Sequence, residues 1–228
     1  MRFPRLGALC WIAAAPLFLI VQLVTGLRWR QPSFSWSANN ISDLGNLTCR
    51  VWDTTRPRYV CSPWHDVMNA GMVLTAVLLL AGLALVWPTL GDGRAVRAGR
   101  RMVLLGAVGF GMVGLFPADT HENLHMLAAV LIFAVGNAGV LLVGWDRLRV
   151  FSVTIGLIGL IGVVLFFMQE GLFLGVGGME RVAVFPLPVW AAFAGVHGLM
   201  PPRLGGRSGD RRPRVGGGPP SAARNRVE

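Results

Sequence analysis

The sequence predicts an all-α fold, a polytopic bundle of six transmembrane helices, on the strength of three observations. Of the 228 residues, 54% are hydrophobic and only 14% are charged, whereas a soluble domain carries roughly a quarter of its residues as charged side chains. Six apolar runs are long enough, or nearly so, to cross a hydrocarbon core of about 30 Å, which takes roughly 20 helical residues. Arginines flank most of these runs, as is typical of the ends of membrane spans.

The predicted spans form one membrane domain, residues 1–200, followed by a tail. Glycines repeat through the third span, where small residues let neighbouring helix backbones approach closely. Residues 201–228 are rich in Gly, Pro, Ser and Arg, and we expect them to form a disordered basic tail in the cytoplasm. The spans are expected near residues 7–27, 67–88, 102–117, 124–145, 150–174 and 182–200.

The distribution of arginine predicts the orientation in the membrane. All 21 basic residues are arginine, and with the N-terminus inside, alternation of the spans places 15 of them inside and 6 outside. The positive-inside rule therefore predicts cytoplasmic N- and C-termini, with basic inner segments that meet anionic lipid headgroups. The net charge of +10 does not indicate nucleic-acid binding, because no base-reading module or stacking motif accompanies it.

Two of the three cysteines fall in one predicted outer loop. Cys49 and Cys61 lie between the first and second spans, and an oxidising exterior permits a disulfide between them. Closing this loop would stabilise it by roughly 3 kcal/mol. The alternative is a pair of free thiols. Cys10 lies in the first span and is most simply an apolar packing residue.

Ionisable residues concentrate in the segments predicted to lie outside. Such residues are costly at membrane depth and are functional candidates by default. We therefore predict that side chains from five separate segments gather around one pocket in the outer leaflet. The set is Asp43, His65, Asp119, His125, Glu180 and Arg181, of which Asp43, Asp119, Glu180 and Arg181 are the candidates for catalysis.

The six residues of this set lie in four short sequence motifs that resemble those of a known family. Their order and spacing resemble those of the domain of unknown function 998 family, which comprises prokaryotic membrane proteins with six spans and no established activity. The resemblance covers roughly residues 7–200 and implies a six-helix fold in a prokaryotic plasma membrane with a polar cluster at the outer face. The motifs are Ile41-Ser42-Asp43-Leu44-Gly45; His65 with Met68-Asn69; Gly114-Leu115-Phe116-Pro117-x-Asp119 before His125; and Gly178-x-Glu180-Arg181 before Trp190.

One stretch also has the H-E-x-x-H pattern of zinc metalloproteases. His121 and His125 would share one face of a helix and ligate zinc, while Glu122 would activate the metal-bound water. A third ligand would come from another outer loop, namely His65, Asp43 or Glu180. The competing interpretation is a capping box, in which Asp119 and Glu122 begin a helix.

These patterns leave three functions open. The leading interpretation is a multi-pass membrane protein of unknown biochemical role, with a polar His/Asp/Glu/Arg cluster at the outer face. The alternative is a zinc-dependent membrane hydrolase acting on lipid or peptide, and a small-solute transporter is the second alternative. The hydrolase would resemble ceramidases and adiponectin receptors, and its candidate residues are Ser42, Asp43, His65, Asp119, His121 and His125. Zinc is the one cofactor that the sequence indicates, and the substrate is open.

Overall fold

The computed structural model describes residues 4–52, 56–144 and 148–200 of the chain. It confirms the all-α fold class, since six helical stretches are long and apolar enough to cross a membrane. Helices of this length and composition bury their backbone polar groups internally, as the bilayer requires. The chain is therefore a multi-pass membrane protein. The tail predicted at 201–228 lies outside the described residues.

Several of the six spans are built from more than one element. The fourth span consists of two α-helices separated by a π-helical turn, Leu131–Gly136, and the sixth consists of two α-helices that meet at Phe185. The helices are α1 (Arg5–Arg28), α2 (His65–Val86), α3 (Arg94–Leu115), α4 (Glu122–Val130), α5 (Asn137–Val143), α6 (Arg149–Phe167), α7 (Val176–Val184) and α8 (Pro186–Leu199). Two short strands, β1 (Arg50–Trp52) and β2 (Arg58–Val60), pair antiparallel in the first loop.

The spans pack as a closed ring that follows their order in the chain. Neighbouring spans are in contact from α1 through α7, and α8 returns to pack against α1. Two buried tryptophans stabilise this closure, since the rings of Trp11 and Trp190 lie 5.3 Å apart. Their indole N–H groups are also satisfied, because Trp11 donates to the carbonyl of Leu79 and Trp190 donates to the hydroxyl of Ser152.

The observed helix bounds differ from the predicted spans at three places. α3 begins at Arg94 rather than near 102, because helical arginines continue the helix beyond the apolar run that marks the span. α6 ends at Phe167 rather than near 174, and α7 begins at Val176 rather than near 182. Gln169 has a φ of 59°, a left-handed conformation that terminates a helix. Hydropathy reports where a chain is apolar, not where its backbone turns.

The connections between spans alternate between the two ends of the bundle. Three of them lie together at one end, here called the long-loop end, and comprise residues 29–64, 116–121 and 168–175. The ionisable residues singled out above belong to these segments or to the helix turns beside them. The fold therefore brings these segments to one end of the bundle.

Candidate functional site

The first loop is folded into an ordered cap over the long-loop end. Strands β1 and β2 pair Arg50 with Val60 and Trp52 with Arg58. The disulfide predicted from the sequence is present, and it joins Cys49 and Cys61 across the open end of this hairpin, with their Cα atoms 4.2 Å apart. The pairing and the disulfide together place Trp52 and Arg58 against the bundle, where both line a cavity.

Asp43 is the anchor of this cap. Its side chain is completely buried and accepts two bonds from the guanidinium of Arg58, at 2.6 and 2.7 Å. The amide of Asn39 and the backbone N–H of Asn40 donate to the same carboxylate, at 3.1 and 2.9 Å. Since a buried carboxylate is costly unless it is paired and hydrogen-bonded, these four donors explain how Asp43 is tolerated there. Its role in this structure is to hold the loop.

Glu180 joins the same cap to the last span. It lies in the second turn of α7, is 5% exposed, and accepts the backbone N–H of Ile41. Unlike Asp43, Glu180 lines the cavity. It is thus a buried acidic side chain that both fastens the loop and faces the space beneath it.

Arg181 points toward the loop backbone. Its Nη1 donates to the carbonyls of Trp36, Asn39 and Gly177, at 3.1, 3.2 and 2.7 Å. The guanidinium also lies 5.2 Å from the ring of Trp36, within range of a cation–π interaction. Its Nε and Nη2 are buried without a hydrogen-bond partner. Arg181 therefore positions the start of the cap, next to Glu180 but outside the cavity lining.

Asp119 fastens the other end of the cap. Its carboxylate accepts the backbone N–H and the hydroxyl of Thr48, at 2.7 and 2.8 Å, and its carbonyl accepts from Arg50 at 3.2 Å. The capping-box interpretation is wrong, because α4 begins at Glu122 with His121 as its N-cap and no side chain caps it. The carboxylate binds a distant loop instead of the helix that follows it.

The histidines of the H-E-x-x-H pattern do not share a helix face. His121 precedes α4, with a φ of −136° and a ψ of 55°, so the i, i+4 geometry that brings two ligands together does not apply. Its side chain is exposed and contacts the ring of Phe116. His125 lies within α4, lines the cavity and is hydrogen-bonded through Nδ1 to the carbonyl of Phe116, at 2.9 Å.

His65 lies at the start of α2 and has local partners. Its Nδ1 is 2.9 Å from the carbonyl of Ser62, and its Nε2 is 3.4 Å from the carboxylate of Asp66. Within the described ranges, no three His, Cys, Asp or Glu side chains are grouped so that they could hold a metal ion. The expected zinc ligands His65, His121 and His125 thus do not converge: His65 binds Ser62, while His121 and His125 contact the ring and the carbonyl of Phe116. The geometry does not support a zinc site built from them.

A cavity of about 460 Å³ opens beneath the cap. Its mouth is polar and includes Asn40, Arg58, Asn69, Glu122, His125 and Glu180. Its floor is apolar and includes Met72, Ala129, Ile132, Phe133 and Val184. Ile132 lies ten residues after the start of α4, which corresponds to a depth of about 15 Å. The cavity therefore extends well into the bundle from the long-loop end.

Five of the six residues of the predicted cluster are thus divided between two roles, and His65, whose partners are local, has neither. His125 and Glu180 line the cavity, whereas Asp43, Asp119 and Arg181 hold the cap that covers it. Sequence reasoning missed Arg58 and Trp52, which reach the cavity only through the hairpin. The two cysteines that flank the hairpin were the available signal, since a disulfide between them requires the segment between them to fold back on itself.

Comparison with known proteins yields one match. No curated protein and no solved structure matches the chain at a significant level. The profile of the family described as "Protein of unknown function (DUF998)" matches residues 12–197, which include all six spans in whole or in large part, the cap and the cavity. The resemblance inferred from the four motifs is thereby confirmed, and the chain belongs to the DUF998 family of proteins of unknown function.

Proposed function

We propose that this protein binds a small amphiphilic molecule in the cavity beneath the cap, from the extracytoplasmic side of the plasma membrane. One observation carries the proposal: the cavity is polar at its mouth and apolar at its floor. Its volume of about 460 Å³ falls within the roughly 300–1,000 Å³ typical of small-molecule sites. A ligand with a polar head and an apolar tail matches both parts of this lining at once.

The polar mouth is arranged for binding rather than only for folding. Asn69 donates to the carbonyl of Gly45 through Nδ2, and His125 uses Nδ1 for the carbonyl of Phe116. Because an amide and an imidazole each have a second polar atom, both side chains retain a group that a ligand can engage. Convergent polar groups above an apolar floor are the usual composition of a ligand site.

The proposed orientation places the long-loop end outside and both termini in the cytoplasm. It is supported by the 15 arginines assigned inside against 6 outside and by the disulfide at the long-loop end, which an oxidising compartment favours. In this orientation the basic inner segments meet the anionic headgroups of the cytoplasmic leaflet. A prokaryotic plasma membrane would supply such an arrangement of compartments.

Reporter fusions test this orientation. Reporters inserted after Gly93 and after Arg149 should show cytoplasmic activity, and one near Arg56 should show external activity, because arginine-rich loops are retained inside. The measurement is the ratio of alkaline phosphatase to fluorescent-protein activity at each site. External activity at Gly93 would overturn the orientation.

Ligand binding is tested by filling the cavity. Ala129 lies on the cavity floor and is buried, so Ala129→Phe should lower the affinity for an uncharged monododecanoylglycerol by about tenfold or more, since an overpacked cavity excludes the tail. Binding of the tritiated probe is measured by scintillation proximity on protein in lipid nanodiscs. Ala70→Phe is the matched control, because Ala70 is exposed on α2 and does not line the cavity.

The test has two outcomes that contradict the proposal. One is the absence of saturable binding beyond that of empty nanodiscs. The other is equal binding by Ala129→Phe and the unaltered protein, with thermal unfolding showing that both are folded. If Ala129→Phe fails to fold, Met72→Trp fills the same floor from α2 and replaces it in the comparison.

Transport of the bound molecule is the second candidate function. The observation that favours it is the π-helical turn Leu131–Gly136, which supplies Ile132 and Phe133 to the cavity floor. Such turns in helices are frequent at functional sites. Uptake of the same probe by proteoliposomes, abolished by Ala129→Phe, would distinguish transport from binding alone.

A further inference from the structure

We propose that the bound molecule is a membrane amphiphile with an ammonium head group, whose tail leaves the cavity sideways into the bilayer between α4 and α6. The inference rests on the proposed amphiphile-binding function and names the class of its ligand. Two independent features carry it: an opening in the wall of the bundle and the charge of the groups that line the cavity mouth.

The opening results from the way in which the fourth span packs. Its first half, α4, packs against α3, whereas its second half, α5, packs against both α3 and α6. Gly109 permits the close approach of α4 to α3, since a Cβ there would lie 2.8 Å from the carbonyl oxygen of Ala128. The change of partner falls at the π-helical turn Leu131–Gly136. On the long-loop side of this turn, α4 packs against α3 and not closely against α6, which packs against α7 there.

The residues that border this opening face both the cavity and the outside. Met126 on α4 and Phe167 at the end of α6 line the cavity, yet they are 44% and 47% exposed. Because α4 packs against α3 and not closely against α6 at this level, we assign these two exposed side chains to the edges of a gap in the wall. Because this surface belongs to spanning helices, the surroundings at that level are lipid. An acyl chain can therefore lie with its first carbons in the cavity and its remainder in the bilayer.

The charged groups that line the cavity favour a cationic head. The carboxyl groups of Glu122 and Glu180 and the imidazole of His125 line it, together with the guanidinium of Arg58. The guanidinium already donates twice to Asp43, so an anionic head would have to compete with a buried carboxylate for it. It would also lie beside two acidic side chains.

An ammonium head finds suitable partners at the same place. Carboxylates form charge-assisted bonds with ammonium groups, and Glu122 and Glu180 approach the mouth from different spans. The aromatic ring of Phe167 also lines the cavity, and aromatic faces attract ammonium groups through cation–π interactions. The ring of Trp52 lines the cavity too, and the guanidinium of Arg50 already lies 4.6 Å from it. Acidic and aromatic side chains around an apolar floor therefore match a cationic amphiphile.

The experiment compares head groups on one chain. Dodecyltrimethylammonium, dodecyl phosphate and monododecanoylglycerol are measured on the protein in nanodiscs, at equal mole fraction in the bilayer. The ammonium probe should bind about tenfold more tightly than the phosphate probe. Octadecyltrimethylammonium should bind as tightly as the dodecyl compound, because the added carbons lie in lipid. A closed pocket would reject the longer chain.

Charge-neutral variants locate the head group. Glu180→Gln keeps an acceptor for Ile41 and should weaken binding of the ammonium probe by about fivefold or more, a larger loss than the one it causes for the uncharged probe. Glu122→Gln, at the exposed mouth, tests the same point if Glu180→Gln does not fold. Glu170→Gln is the matched control, since Glu170 is exposed at the same end and does not line the cavity.

The outcomes separate this inference from the function on which it rests. If the uncharged probe binds but the ammonium probe shows no preference, or if both Glu variants leave ammonium binding unchanged, the head-group assignment is overturned and amphiphile binding stands. If the octadecyl compound fails to bind, the lateral opening is overturned. If no probe binds, the proposed function itself fails.

Discussion

The substitution Asp43→Ala should lower the free energy of unfolding by about 3–5 kcal/mol, because it leaves a guanidinium without the carboxylate that neutralises it. Arg58 donates two bonds to this side chain, and its own side chain is only 10% exposed. The backbone N–H of Asn40 also loses its acceptor. The change is measured by reversible unfolding in mixed micelles, followed by tryptophan fluorescence.

A matched control lies at the same end of the bundle. Asp66 is 88% exposed and lies 3.4 Å from His65, so Asp66→Ala should change stability by less than about 1 kcal/mol, as is usual for surface ion pairs. The double variant Asp43→Ala/Arg58→Ala should lose less than the sum of the two single variants, since each single change leaves one charge unpaired. A loss for Asp43→Ala no larger than that for Asp66→Ala would show that the buried pair does not hold the cap.

The substitution Gly177→Ala should destabilise the protein by about 1–3 kcal/mol, because a Cβ at this position overlaps backbone that cannot move aside. That Cβ would lie 2.2 Å from the carbonyl oxygen of Asn39. The N–H of Gly177 also donates to the carbonyl of Ser37, at 2.8 Å. Separation of α7 from the cap should weaken probe binding as well, since Glu180 follows one turn later.

Gly111→Ala provides the comparison for this second prediction. Its Cβ would lie 3.4 Å from that of Ala76, which is ordinary contact, and alanine is favoured over glycine in a helix by roughly 0.5–1 kcal/mol. We therefore expect Gly111→Ala to be neutral or slightly stabilising in the same unfolding measurement. Equal stability of both variants would show that the contact between α7 and the cap is looser than its geometry indicates.

The number of spans was predictable because the bilayer leaves few alternatives. A chain in lipid must satisfy its backbone polar groups internally, so an apolar run of about 20 residues has one common solution. The disulfide was predictable for a different reason, since Cys49 and Cys61 share one short stretch of loop. Both predictions depend on local sequence and on the nature of the surroundings.

The sequence was a poorer guide to which side chains line the cavity and which of them contact each other. Alternation of spans assigns a residue to an end of the bundle, but it does not give its lateral position or the direction of its side chain. His65 and His125 share the long-loop end, yet they bind the carbonyls of Ser62 and Phe116. The pairing of Asp43 with Arg58 depends on the path of a loop that has no periodicity to reveal it.

The position of Arg94 illustrates the same limit for the helices. A hydropathy count ends a span at the first cluster of charge, yet α3 runs from Arg94 to Leu115. Long arginine side chains keep their stems against apolar surface while the charge reaches water. Arg100 instead stays inside the protein: it is only 6% exposed, its guanidinium lies 4.7 Å from the ring of Trp87, and it donates to the carbonyl of Trp87 at 3.1 Å. Charge therefore marks the edge of the hydrocarbon core without marking the end of the helix.

The bond between Glu180 and the N–H of Ile41 has a consequence for biosynthesis. It connects two residues that are 139 positions apart in the chain, and a chain is synthesised and inserted from its N-terminus. The first loop is synthesised early, but the N–H of Ile41 has no acceptor in Glu180 until α7 has been inserted. The cap is therefore completed only when α7 is in place, and a chain arrested after α6 holds its first loop through Thr48 and Asp119 but not through Ile41.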